Sequence, residues 1–470
     1  MKNEFIKWDV VDEHLNEADF LLWRWRNAIF SPSFTIESLR HSVELRLFSN
    51  LDGLCIGGET VAKKLLEPLL EEAASPELAT VAALVMLDSN KEETRCRVLD
   101  AMVSSSGSLQ EAIALAFQLS TSPYLDSDLS SRIWKEPSRE QALLLRIKTA
   151  RGLSIEPIPR SFFEDETTTL SALHSIKFSK YSADQYDMLI ETLATSGDAL
   201  QRAMAVEAGL ARHSQRIWNI CFDFISTDDP SLSRYMLLVA LLGNSPSHRG
   251  LFERLSDETC REALLQALGY TGTIESVNHC VPFLRSDNQR EAKLAAESIS
   301  LITGIDLSDD RFILEEASSV DEVEDTEEMP ETTEQSETDH AGVRLIIVPV
   351  EDENSVTNKQ LEETFEADAV DELPLPNPSA IEEWIATHLT EFADGQRYLL
   401  GKKWSVRTHV EALESTSMWR RHPLALKLLI ESGGEDVVST WAFSVCQRRQ
   451  LAALSGLKNS DIGDRSRFWI

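Results

Sequence analysis

The sequence predicts an all-α protein: a helical-repeat solenoid, then an acidic linker, then a small C-terminal helical domain. Three observations carry that prediction. Apolar residues recur at three- and four-residue steps up to about position 310, with no convincing two-residue alternation. An Arg-led, Ala- and Leu-rich segment recurs in the middle of the chain. Residues 315–372 hold 21 acidic and two basic side chains, a net −19 of the chain's −33. The resulting boundaries are a helical cap over 1–75, a repeat array over 76–314, a linker over 315–378 and a helical domain over 379–470.

The cap opens with a helix from Asp12 to Phe30, on which Leu15, Ala18, Leu22, Trp25 and Ile29 share one face. Ser31-Pro32 ends it, because the residue before a proline avoids the helical region. Ile36, Leu39, Val43 and Leu47 mark the second helix, and Gly57-Gly58 opens a third that carries Val61, Leu65 and Leu69. Trp23 and Trp25 sit beside Arg24 and Arg26. Two positions apart, the tryptophans cannot share one helix face. They are either an interaction hot spot or packing against the next helices.

The array is the strongest signal. The segments Gln201 to Leu210, Ser233 to Gly243 and Cys260 to Gly269, with a weaker fourth at Gln289 to Glu297, each place an arginine at the helix start. The arginines are Arg202, Arg234, Arg261 and Arg290, at steps of 32, 27 and 29 residues. That period suits a two-helix repeat which buries its apolar face on its neighbour. Three of the copies soon reach a glycine, expected to take the left-handed conformation that closes a helix.

The linker is too acidic and too poor in large apolar residues to offset its chain entropy, so it is predicted to be largely disordered. Val343 to Val350 interrupts it as a short strand, free to pair with a partner or to dock on its own domain. Leu373-Pro374-Leu375-Pro376-Asn377-Pro378 then leads into the C-terminal helices, expected at Ser379 to Phe392, Pro423 to Ile430 and Val437 to Leu454. Candidate contact residues here are Arg397 and Tyr398, the pair Arg448 and Arg449, able to face the acidic linker, and Trp469 in the apolar tail Phe468-Trp469-Ile470. The plainer alternative makes Arg397 a partner for helix-end carbonyls and packs Tyr398 under the turn.

Composition bounds the function. A net charge of −33 over 470 residues repels nucleic acid and anionic lipid, so neither is an expected partner. No apolar run reaches the ~18 residues a membrane span needs, and the mean hydropathy is −0.20. The start resembles no signal peptide, and the six widely spaced cysteines form no disulfide framework, so a cytoplasmic protein with core cysteines is expected. H-E-x-x-H, Walker and G-x-S-x-G motifs are missing, and His279-Cys280 alone makes no metal site. Catalytic, metal and cofactor sites are therefore not expected.

Arg261-Glu262-Ala263-Leu264-Leu265-Gln266-Ala267-Leu268-Gly269-Tyr270-Thr271-Gly272 resembles the HEAT-like repeat of bilin lyases. Four landmarks in order along the chain resemble a proteobacterial HEAT-repeat family whose genes often lie among type VI secretion genes. They are Glu44 to Glu59, Ala295 to Leu307, the Pro-rich Leu373 to Pro378 before Trp384, and Gly395-Gln396-Arg397-Tyr398-Leu399-Leu400-Gly401 with Cys446 to Leu451. The middle repeats are less Ala-rich than in that family, and the strand at 343–350 is not one of its features. The resemblance implies an all-helical scaffold and that gene neighbourhood; together with the repeat array it leads to the expectation of a non-enzymatic HEAT-like scaffold that binds a protein partner, such as a secretion effector or tip component. It supplies no catalytic residues. Two other functions stay open: an inhibitor or immunity-type protein that presents its acidic surface to a basic target, and an enzyme that binds a prosthetic group.

Overall fold

The computed structural model describes residues 6–130, 138–153, 157–165, 168–178, 184–314 and 369–456. It is predominantly helical. Among the described residues the strands Tyr398–Leu399 and Lys402–Lys403 form one short antiparallel hairpin. The strand expected at 343–350 and Trp469 lie outside the described residues. No helix among them is long and apolar enough to cross a membrane.

The first helix, Trp8–Ala28, buries Leu15, Ala18, Leu22 and Trp25, the predicted stripe. It packs on Leu45–Ile56 and on Pro76–Leu87. From Pro76–Leu87 a row of helices follows, each against the next: Gly107–Leu119, Arg139–Ala150, Thr169–Ile176 and Ala199–Ala211. Leu232–Leu242, Arg261–Leu268 and Gln289–Thr303 extend the row. Glu92–Ser104, Gln215–Phe224, Ser245–Glu253 and Ile274–Cys280 pack beside it. Helix starts follow capping chemistry. Ser75, Asp198, Ser214, Asn244, Thr273 and Asn288 each accept a hydrogen bond from a backbone N–H in the first turn.

The recurring arginines tie neighbouring copies together. Arg202 pairs with Asp229, Arg234 with Glu207, Arg261 with Glu291 at 3.0 Å and Arg290 with Glu262 at 3.1 Å. Each bond spans about one repeat period: Arg202 reaches Asp229 just before the second copy, Arg234 reaches back to the first, and Arg261 and Arg290 join the third and fourth. The glycines act differently from expectation. Gly209 lies within its helix, and Gly243 and Gly269 have φ of −69° and −58°. They are small because neighbours are close: a Cβ on Gly209 would meet Ile217 at 2.5 Å, and one on Gly269 would meet Ser298 Oγ at 2.9 Å.

Leu232–Leu242 is buried at every position, and Ala203 to Ala211 are all buried. A helix buried all round needs cover on every side, and the C-terminal segment supplies it. Met418–Glu431 packs on both Ala199–Ala211 and Leu232–Leu242. Its start bonds to the cap, Met418 N to Phe34 O at 2.6 Å, and its Arg420 pairs with Glu297 at the far end of the row. Residues 379–456 thus lie along the helical body and contact both of its ends.

The Pro-rich stretch belongs to the same body. Ile313 and Pro376 form an antiparallel bridge, Leu314 N donates to Leu375 O at 2.9 Å and Asn377 N to Phe312 O at 2.7 Å. Residues 312–314 and 375–377 therefore lie side by side. The hairpin crosses the end of Gln289–Thr303, where Leu400 N and Gly401 N donate to Leu301 O and Ile302 O at 2.7 and 3.0 Å. Gly304 and Gly401 both hold left-handed backbone, φ +79° and +76°, and a Cβ on Gly304 would meet the Leu400 carbonyl at 2.8 Å. The segments Ala295 to Leu307 and Gly395 to Gly401, about 90 residues apart in sequence, thus meet at one crossing.

The last helix runs over Ser444–Leu454, not from Val437. The apolar residues of 437–443 do not form one stripe. Trp441 packs edge-on to Phe30 at 4.6 Å and Phe443 to Trp25 at 5.1 Å, and filling those separate slots keeps 437–443 out of a continuous helix. Cys221, Cys260 and Cys280 are buried as expected, whereas Cys55 is exposed.

Candidate functional site

Between the row and the C-terminal segment lies a cavity of about 150 Å³. Arg139–Ala150, Thr169–Ile176, Ala199–Ala211 and Leu232–Leu242 form one wall with Arg146, His174, Glu207 and Arg234, to which Lys177 adds its side chain. The opposite wall is mostly apolar and comes from Ala425, Leu426 and Leu429 of Met418–Glu431 and from Val437, Val438 and Trp441 beyond it.

Charge is concentrated on the first wall. Glu207 is fully buried and accepts from Lys177 at 2.7 Å and from Arg234, whose side chains are 5% and 3% exposed. Arg146 pairs with Glu111. Burial would raise the Glu207 carboxyl, but Arg234 and Lys177 outweigh it and hold it below its ordinary value. Burial pulls the Lys177 ammonium down, against the attraction of Glu207. His174 stays well below the ordinary imidazole range, first through burial and then through Lys177, Arg146 and Arg234. It is therefore neutral, and its Nδ1 has no hydrogen-bond partner among the described residues.

A second buried cluster closes the other end of Met418–Glu431. The Arg397 guanidinium donates to the carbonyls of Ala240, Leu241 and Tyr270 at 3.2, 3.0 and 2.7 Å and lies over the Trp404 ring. Those oxygens end two helices of the row and lack intrahelical partners. Lys427 donates to Leu241 O at 2.8 Å and pairs with Glu431; burial pushes its ammonium down to about 8. Replacing Arg397 with alanine removes its bonds to the Ala240 and Tyr270 carbonyls and leaves Leu241 O to Lys427 alone. Arg397→Ala is expected to cost on the order of 2–4 kcal/mol in urea denaturation, with Arg397→Lys recovering part of it.

A third polar centre joins the chain ends. Glu44, fully buried, accepts from Trp25 Nε1 at 2.9 Å, from Ser444 N at 2.8 Å and from the Ser444 hydroxyl. Its carboxylate thus caps the last helix from 400 residues away. Burial raises its pKa against those donors.

The residues singled out in the sequence do not meet at one site. Trp25 is 1% exposed and is core; Trp23 is 50% exposed and stacks on Phe20, 6.1 Å away, on the outer face of the first helix. Arg397 and Tyr398 are not surface contacts. Arg397 caps helix ends as above, and Tyr398 is buried, its hydroxyl accepting from Ala393 N at 2.7 Å. Arg448 pairs with Glu37 at 3.3 Å, and Arg449 is exposed. The cavity's polar wall escaped notice, although Glu207 gave a signal. It stands alone in Ala203-Met204-Ala205-Val206-Glu207-Ala208-Gly209-Leu210, a charge at a core position, which requires a buried partner. Among the described residues no group of three His, Cys, Asp or Glu side chains is placed to hold a metal ion. No family model matches the sequence, and no curated protein matches it either.

Proposed function

We propose that the chain is a non-enzymatic interaction scaffold, a HEAT-like helical-repeat solenoid whose inner row of helices is covered by its own C-terminal segment. The single observation that supports this most is the set of ion pairs made by Arg202, Arg234, Arg261 and Arg290 to the adjacent copy, because bonding between nearest neighbours is what stacked repeats require. With the inner row occupied, the partner surface is the outer face. There Phe20 and Trp23 present an exposed aromatic ridge on a strongly acidic protein. The partner is a protein, and in a type VI secretion setting it is an effector or tip component delivered by this adaptor.

Affinity capture of the tagged full-length chain from its native host tests this reading. A secretion effector or tip protein is expected to co-purify with the wild type. The Phe20→Ser/Trp23→Ser variant is expected to lose it at unchanged melting temperature. Recovery of no secretion component, or equal recovery by the variant, would overturn the assignment.

A further inference from the structure

The cavity under Met418–Glu431 has the make-up of a ligand site and not of a packing gap. Its polar wall contains Lys177, whose ammonium has three N–H donors and one hydrogen-bond partner among the described residues, Glu207. The Lys177 side chain is 5% exposed, so these donors face the cavity and not the outer surface. His174 Nδ1 is a second unfilled polar atom on the same wall. Three cationic side chains, Arg146, Lys177 and Arg234, line the space with a single carboxylate, Glu207, in a chain whose overall charge is −33. Glu111 matches Arg146, so the cluster keeps one net positive charge where the bulk charge would repel an anion. Across the gap the lining is mostly apolar, from Leu426, Leu429 and Val438, with the Trp441 indole and the Ser439 and Thr440 hydroxyls beside them.

We propose that this cavity binds a small monocarboxylate with a compact apolar body, branched or aromatic. The carboxylate lies against Lys177 and His174, and the body lies between Leu426, Leu429 and Trp441. The volume of about 150 Å³ admits a benzene-sized group. Because the two walls belong to the row and to the C-terminal segment, the bound acid clasps the segment onto the body. Its occupancy sets how firmly the segment is held.

Calorimetric titration and thermal melting of the full-length protein with benzoate and isovalerate test this, against benzyl alcohol, benzylammonium and inorganic phosphate. Saturable binding of a carboxylate with Kd below about 1 mM and a raised melting temperature are expected, with benzyl alcohol and benzylammonium at least about tenfold weaker. Ala425→Phe, which fills the cavity from the apolar wall, should abolish binding without lowering the melting temperature. Lys177→Met, which leaves Glu207 paired with Arg234, should weaken it about tenfold. No saturable carboxylate binding by the wild type overturns the proposal. So does equal binding of benzylammonium, phosphate bound more tightly than benzoate, or benzoate binding that survives Ala425→Phe.

Discussion

Glu207→Ala lowers the unfolding free energy by about 3–5 kcal/mol. The carboxylate is fully buried and faces Lys177 and Arg234, both more than nine-tenths buried. Removing it leaves two cations in the interior with their counter-charge gone, and the full desolvation cost of each then falls on the folded state. Glu207→Gln keeps the shape but not the charge and should lose most of the same stability. A pair on the outside gives the contrast. Arg285–Glu382 is 55% and 35% exposed, and Glu382→Ala should cost less than about 1 kcal/mol. Urea denaturation followed by circular dichroism reads both. A Glu207→Ala loss no larger than that of Glu382→Ala would mean that water reaches the cluster and that it does not hold the row to its neighbours.

The residues responsible for the fold were legible where local chemistry decides it. Helix faces follow from three- and four-residue spacing, and helix starts from Ser, Asp, Asn and Thr at the caps. The arginine period was visible too, but its partners were not. Asp229, Glu207, Glu291 and Glu262 sit 27 to 30 residues away, and no local rule selects them from 78 acidic side chains. The same limit hid the position of the C-terminal segment. Met418–Glu431 reads as an ordinary helix, and only the burial of Leu232–Leu242 on all sides reveals that something must cover it. Ala203 to Leu210 and Leu232 to Leu242 are apolar nearly all round in sequence, which marks helices that need two buried faces. Arg397 shows a different limit: the sequence allows a surface contact or a partner for helix-end carbonyls, and the second holds, but which three carbonyls converge on it is set only by the tertiary packing.

Mild acid should unfold the protein steeply, because four imidazoles are buried neutral. Burial is the leading cause at each. It holds His409 and His422 down to about 4 and His248 to about 3, and His174 well below its ordinary value. Cations add to it: Arg397 and Lys427 beside His248, Arg421 beside His422 and Lys177 beside His174; at His409 the nearby Glu431 partly opposes burial. The His422 ring shows why the neutral form is fixed. The Ile29 carbonyl only accepts, so Nε2–H donates to it at 2.8 Å, and Nδ1 must then accept from the Thr440 hydroxyl at 2.8 Å. A second ring proton would reverse the Thr440 bond, the hydroxyl then accepting, and would place a charge in a buried site, which is the main cost. These histidines titrate near 6.5 when unfolded and lower when folded, so between those values the unfolded chain binds more protons and stability falls as pH falls. Each contributes about 1.4 kcal/mol per pH unit and the four together about 5, enough to consume an ordinary domain's stability within two units. Glu44, with its carboxyl raised by burial, takes up a proton in the folded state and offsets part of the loss. Glu207 and Glu431, held low, add to the loss at still lower pH. Urea midpoints at pH 7.5, 6.5, 5.5 and 4.5 should therefore be nearly level in the first step and drop sharply after it. His422→Gln should flatten the drop by about one proton. Midpoints that stay constant from pH 6.5 to 4.5 would show that the C-terminal segment does not seal these rings from water.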